Sequence, residues 1–285
     1  MQPEENIAQW AGLWDETASD AVRILDESSM AAKWNKRSDK FGKSPDQERM
    51  QKRIRKTVDF LEETGVKIKG AKILDIGSGH GSLSLPLARM GAEVTALDIS
   101  SGMLDRLNDA SGKEGLSVKT VECSWWTADI DKLGFRGEYD LVLAARTPAI
   151  RNAECLERMM ACSKNLCCYI GFIKKGEYSA HADIRRLILK EEYIRYTNNI
   201  FFPFMYLYLS GYRPLISINY SERKVEMKWE KAAEEAIEFL SNDHDFDDEI
   251  KDKIRNYYRD LSKDGLYASQ SDTSEGMMAW KVGIA

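Results

Sequence analysis

Two carboxylates and a run of glycines carry the first chemical signal in this chain. Asp75 stands two residues before Gly77-Ser78-Gly79-His80-Gly81, and Asp98 follows an apolar stretch at residues 92–97. Glycines at alternate positions let a backbone turn sharply and approach a ligand with no Cβ in the way. A helix that opens after such a turn presents N–H groups to polar or anionic atoms. An acid closing the next strand is suited to a pair of sugar hydroxyls.

Side chains elsewhere that could act as a base near neutral pH or orient an acceptor are few. Of three histidines, His80 lies in the glycine turn and would shape a binding site. His244 belongs to a polar surface stretch, which leaves His181 as the candidate base. Tyr193, together with Tyr196 and Tyr206, offers hydroxyls that could orient an acceptor molecule. Arg146 follows a buried strand and could pair with a carboxylate. The histidine and acids of residues 242–249 lack the glycine and spacing of a calcium loop, and their acids suit a helix start, so no metal is expected.

The elements that would position these groups can be read from apolar spacing. Residues 72–76 form a β-branched run, the mark of a parallel strand covered on both faces. Leu83, Leu87 and Met90 then recur at helical spacing, with Pro86 implying a late start or a kink. Gly91 ends that helix and residues 92–97 give a second strand. Residues 103–110 continue as a helix, and strands follow at 116–122, 139–145 and 165–172, with a helix at 153–163 between the last two. A sixth strand or short hairpin is expected within 215–229, and a closing antiparallel strand at 277–284.

The pattern D-x-G-x-G-x-G, followed by Asp98-Ile99-Ser100-Ser101-Gly102-Met103, resembles the class I S-adenosylmethionine-dependent methyltransferases, in their small-molecule branch. A dinucleotide turn would instead need glycine or alanine at position 82, where this chain has Ser82. The resemblance implies a Rossmann-like, doubly wound α/β sheet of seven strands, the last antiparallel, with an N-terminal helical cap and a helical insertion. It implies S-adenosylmethionine as cofactor. Asp98 would take the ribose, Ile99 and Met103 would flank the adenine, and Gly77, Ser78, Gly79 and His80 would lie beneath the amino-acid end. Asp75 would reach the ammonium group. Relatives usually carry an acid after the third strand to accept from the adenine amino group. Here Ser124 takes that position, with Trp125 expected to stack on the base and Trp126 to pack structurally. Trp34-Asn35-Lys36-Arg37-Ser38-Asp39-Lys40-Phe41 is similar to a segment that borders cofactor and substrate in such enzymes, which makes Trp34 and Phe41 substrate-side candidates. Phe202, Tyr206 and Arg146 join them, and His181, Arg146 and Tyr193 are the catalytic candidates.

Composition fits that reading. At 285 residues with 43% hydrophobic and 31% charged residues, the chain is an ordinary globular protein able to bury a core. A net charge of −5 argues against nucleic acid as principal partner. Five cysteines without paired spacing suggest a reducing compartment. No apolar run approaches membrane-spanning length, so a cytoplasmic protein with a small-molecule acceptor, no membrane association and a homodimer as an option is expected. The domains divide as a helical cap at 1–64, a cofactor-binding core at 65–174, a helical lid with an edge strand at 175–275, and a closing strand at 276–285. The aromatic run 198–209 would wall the acceptor pocket or form an interface. An NAD-dependent oxidoreductase and a non-catalytic cofactor-binding protein are the alternatives. Methylation of RNA or protein is disfavoured by acidity and by the absence of an N/D-P-P-Y/F motif after the fourth strand.

Overall fold

The computed structural model describes residues 3–22, 26–38, 47–174, 179–190, 199–241 and 244–283. Strands β1 (Lys72–Ile76), β2 (Glu93–Asp98), β3 (Val118–Glu122), β4 (Tyr139–Ala145), β5 (Ser163–Lys174), β6 (Leu215–Lys228) and β7 (Leu266–Lys281) form one sheet in the order β3-β2-β1-β4-β5-β7-β6. The first five pair in parallel, with Ile76 beside Leu97 and Ala144, and Asp98 beside Glu122. Where β7 ends, the Val282 N–H donates to the Asn165 carbonyl at the start of β5 (2.8 Å), so β7 runs antiparallel. Chain order reverses between β1 and β4. In an open α/β sheet that reversal leaves a crevice beyond the strand carboxyl ends, and there Asp75, Asp98 and the residues after β4 converge.

Two compact units make up the chain. The first comprises Met1–Ile173, Asn198–Ile218 and Gly276–Ala285. Its helices are α1 (Pro3–Val22), α2 (Glu27–Ser38), α3 (Gln47–Glu63), α4 (Ser84–Arg89), α5 (Ser101–Lys113) and α6 (Ala153–Cys162). Adjacent strand residues alternate between two apolar layers. Ile73, Leu141, Cys168 and Met277 join Phe60, Leu61 and Leu87 on one face. Leu74, Val142, Cys167 and Met278 join Trp14, Trp125 and Leu156 on the other. Burial on both faces explains why these strands read as continuous apolar runs. It also separates Cys167 from Cys168, and burial pushes both thiols up, that of Cys168 to about 12, which leaves them inert packing groups. Pro86 occupies the third position of α4, where its missing N–H costs no helical bond.

The second unit, Lys174–Thr197 and Asn219–Glu275, contains α7 (Ser179–Asp183), which continues as a π-type turn Ile184–Ile188. Further along the chain lie α8 (Phe201–Leu209), which belongs to the first unit, and then α9 (Trp229–Leu240) and α10 (Asp248–Leu261), which belong to the second. Ala180, Ile184, Ala233, Ala236, Leu240, Ile254 and Tyr258 build the second unit's own core. The acids before α10 act as helix-start residues, Asp247 accepting from the Ile250 N–H at 2.8 Å.

Two expectations change. Strand β7 begins at Leu266, eleven residues earlier than the 277–284 reading, because its first half alternates exposed polar and half-buried residues and carries no apolar run. Of the two options for residues 215–229, a sixth strand and not a short hairpin is found, running from Leu215 to Lys228. Residues 198–218, assigned from sequence to the lid, group with the first unit because α8 packs on α1 and α6. No described helix is long and apolar enough to cross a membrane.

Candidate cofactor site

At the carboxyl end of β1, Asp75 is buried and its Oδ2 accepts from Ser84 Oγ at 2.5 Å. Burial pushes its carboxyl up to about 7, the Ser84 hydrogen bonds oppose that, and the nearby Asp98 charge adds to it. The glycines after it do different work. Gly77 (φ 67°) has no room for a side chain, since a Cβ would lie 2.0 Å from Thr147 Oγ1. Gly79 (φ 55°) faces open space, with no atom within 4 Å of where its Cβ would be. Between them Ser78 is 6% exposed, and its Oγ has no hydrogen-bond partner among the described residues. A buried hydroxyl left unpaired costs free energy unless a ligand or water completes it. His80 is partly buried; burial and then the Arg106 charge lower its pKa.

Asp98 closes β2 beside this turn. Its Oδ2 accepts from the Gly79 N–H at 2.8 Å and its Oδ1 from the Ser100 N–H at 2.9 Å. Burial raises its pKa, and the Ser100 and Gly79 N–H groups counter that shift. The carboxylate is thereby fixed in orientation, and each oxygen keeps a second lone pair. Ser100 caps α5, its Oγ accepting from the Met103 N–H at 3.2 Å. The same Oγ donates to Asn35 Oδ1 at 2.6 Å, and the Gly102 N–H donates to that oxygen at 3.0 Å.

Helix α2 thus lies along the α5 start, with Ser38 so close that a Cβ on Gly102 would come 2.9 Å from its Oγ. Its other end reaches the loop after β3, where Glu27 Oε1 accepts from Ser124 Oγ (2.5 Å) and Thr127 Oγ1 (3.0 Å). Sequence reasoning singled out the segment after Trp34 but missed both contacts. Glu27 is separated from Ser124 by 97 residues and carries no local signal.

The remaining candidates scatter. Met103 is buried and Ile99 half-buried at the start of α5. Ser124 also accepts from the Trp126 N–H at 3.3 Å, so its hydroxyl is engaged twice over. Of the two tryptophans, Trp125 is the one that packs structurally. Trp125 is 2% exposed in the apolar core and its Nε1 donates to the Cys155 carbonyl on α6 at 3.1 Å. Trp126 is half-buried, donating to the Pro148 carbonyl at 3.1 Å, with the Arg151 guanidinium 4.3 Å from its ring centre. Arg146 ends β4 with φ 57°, a conformation rare outside glycine that tends to collect at functional sites.

Phe202 and Tyr206 do not stand open as a pocket wall. Trp10 donates to the Phe202 carbonyl (3.0 Å), Trp14 stacks on Phe202 with ring centres 6.1 Å apart, and the Tyr206 hydroxyl donates to Glu157. The aromatic run packs α8 against α1 within the chain. Trp34 on α2 has the Arg37 guanidinium 5.7 Å from its ring. His181, in the second unit, stacks on Phe239 with ring centres 5.0 Å apart. Phe41 and Tyr193 lie outside the described residues.

Residues 73–166 match the family model described as "Methyltransferase domain". Among curated proteins, an uncharacterized protein of Haemophilus influenzae is 37% identical over 93 residues, covering 32% of this chain and 34% of that protein. The ubiquinone biosynthesis O-methyltransferase of Shewanella pealeana is 29% identical over 129 residues, 45% of this chain and 50% of that protein. The chain therefore spans half or less of the length of these relatives. In fold, the YcgJ protein from Bacillus subtilis superposes with a TM-score of 0.53 at 9% identity, covering 80% of this chain and 98% of that one. The strand order, the glycine turn and the fixed acid after β2 agree with the family match: residues 73–166 are similar to a methyltransferase domain.

Proposed function

We propose that the protein transfers a methyl group from S-adenosylmethionine to a small, partly apolar or aromatic acceptor. One observation carries the cofactor half of this reading: the Asp98 carboxylate is held by the N–H groups of Gly79 and Ser100, and the turn that supplies Gly79 also carries Ser78, whose buried hydroxyl has no hydrogen-bond partner among the described residues. Such an arrangement fits a nucleoside whose ribose hydroxyls take the spare lone pairs of Asp98. The open space at Gly79 leaves room for the rest of the molecule against the turn.

When bound, S-adenosylmethionine supplies a methyl group on a positively charged sulfur, already activated for transfer. The chain's own task is then to align, to keep water away and to accept a proton where the acceptor carries one. Asp75, buried and half-protonated near pH 7, ionises readily beside the ammonium group that the resemblance assigns to it. On the acceptor side we assign Arg146, whose strained backbone at the end of β4 would aim its guanidinium at an acidic group of the acceptor. His181, Tyr193 and the rest of the lid division, residues 175–197 and 219–275, enter the proposal as the source of acceptor selection, along with Trp34 and Phe41. Cytoplasmic location and a homodimer belong to the same reading.

Calorimetric titration with S-adenosylhomocysteine and with NAD tests it. Binding of the first and not the second is expected, with at least a tenfold loss for Asp98→Ala, which removes hydrogen bonds to a charged group. Equal affinity of wild type and Asp98→Ala for S-adenosylhomocysteine would sink the reading.

A further inference from the structure

We infer that Glu27, reaching in from the N-terminal helix, accepts a hydrogen bond from the exocyclic amine of the bound adenine and so sets the base specificity of the site. The inference rests on the nucleoside reading of Asp98 and extends it. If the ribose sits at Asp98 and the amino-acid tail lies along the glycine turn on the β1 side, the base extends toward the other neighbour of β2, the end of β3. The two ends touch there, the Cys123 N–H donating to the Asp98 carbonyl at 2.9 Å.

A purine carrying an amine needs an acceptor at that end, and the acceptors can be counted. The Ser124 carbonyl receives the Cys123 thiol at 3.4 Å. The Trp125 and Trp126 carbonyls both receive Arg158 Nη1, at 2.6 and 3.1 Å. Ser124 Oγ accepts from the Trp126 N–H and spends its own proton on Glu27. The Thr127 hydroxyl proton also goes to Glu27. Both of those bonds end on Oε1, so Oε2 of Glu27 is a carboxylate acceptor without a hydrogen bond among the described residues. Two donors on one oxygen lock the carboxylate plane and aim its second oxygen, the preorganisation that a specificity contact requires. The neutral hydroxyl at position 124 becomes a mount for a carboxylate contributed from another part of the chain.

The test compares three ligands on the full chain by calorimetry: S-adenosylhomocysteine, its analogue with an unsubstituted purine, and its analogue with a 6-oxo purine. Wild type should prefer the 6-amino compound over the unsubstituted one by about tenfold, equivalent to about 1.4 kcal/mol. Glu27→Ala should bring that ratio close to one. Glu27→Gln keeps the shape and one acceptor for Ser124 but turns an N–H₂ toward the base, so its preference should move to the 6-oxo compound. Asn35→Ala, which loosens the other end of α2, should lower all three affinities together and leave the ratios as in wild type, a readout that a purely structural clasp at Glu27 would share. An undiminished preference for the 6-amino compound in both Glu27 variants overturns the inference. Absence of S-adenosylhomocysteine binding by wild type overturns the nucleoside reading beneath it.

Discussion

Gly77 and Thr147 stand so close that a Cβ on the first would lie 2.0 Å from Oγ1 and 2.6 Å from Cβ of the second. The turn after β1 and the turn after β4 therefore interlock, and the crevice between the two strands takes its shape from that contact. Thr147 is itself buried, its Oγ1 accepting from the Ala149 N–H at 3.2 Å. The first glycine of the motif serves packing, while Gly79 has open space around it among the described residues.

Gly77→Ala should therefore destabilise the fold through both overpacking and a positive φ of 67°, together about 2–4 kcal/mol. Thr147→Gly in the same chain should recover the packing part and leave the backbone part, giving a clear coupling in a double-mutant cycle by urea unfolding. Additive losses would show that the two turns do not press on one another.

Ser78 offers the opposite behaviour. Its buried hydroxyl has no partner among the described residues, so Ser78→Ala removes an unpaid desolvation and should leave the ligand-free protein as stable as wild type, or more stable by up to about 1 kcal/mol. Affinity for S-adenosylhomocysteine should fall about three- to tenfold, the worth of one hydrogen bond. Thermal unfolding with and without ligand reads both effects in one experiment, and a ligand shift identical to wild type would remove Ser78 from the site.

The parts of this architecture that could be read in advance are those with local cause. β1 and β4 begin and end where their apolar runs do, and Asp98 closes β2 as a strand-end acid should. What escaped was set by partners distant in sequence. Which of Trp125 and Trp126 turns inward depends on the register in which the β3 loop meets Cys155 on α6, and no spacing rule reports that. The run from Phe201 to Leu209 is aromatic enough to suggest a ligand pocket, yet Trp10 and Trp14, almost two hundred residues away, supply its apolar partner. Strand β7 hid its first half because the residues from Leu266 to Glu275 are largely polar and take their strand character from pairing, not from burial.

Asn35 turns one such distant contact into a prediction. Its Oδ1 receives both the Ser100 hydroxyl, which is fully buried, and the Gly102 N–H. Asn35→Ala leaves a buried donor unsatisfied at a cost of about 1–3 kcal/mol, concentrated in the docking of α2. Asn35→Asp keeps both acceptor positions and places a negative charge at the start of α5, which is favourable by about 0.3–1 kcal/mol. Amide hydrogen exchange across α2 should accelerate in the alanine variant and stay at wild-type rates in the aspartate variant. Equal exchange in all three proteins would mean that α2 is held by other means.

Asp75 makes the stability of the ligand-free protein depend on pH in a direction opposite to that of a salt-bridged acid. Its folded pKa is raised to about 7, chiefly by burial, against about 3.9 for an unfolded chain. Between these values the unfolded chain has released the proton and the folded chain still holds it, so folding takes up a proton and stability falls as pH rises from about 4 to about 7. Above about 7 both states are ionised and the dependence levels off. Asp98, also raised by burial, contributes with the same sign, so the comparison must isolate one residue. Asp75→Asn keeps an acceptor for Ser84 Oγ and cannot ionise. The difference in unfolding free energy, wild type minus variant, should therefore decline steadily in urea titrations from pH 4 to pH 7 and then stay constant. A cation seated beside Asp75 reverses the balance by favouring the ionised form, so saturating S-adenosylhomocysteine, which carries an ammonium group, should flatten the decline in wild type and leave the variant unchanged. Parallel wild-type and variant curves would mean that Asp75 titrates as an ordinary carboxylate and that the burial seen at the end of β1 does not govern its charge.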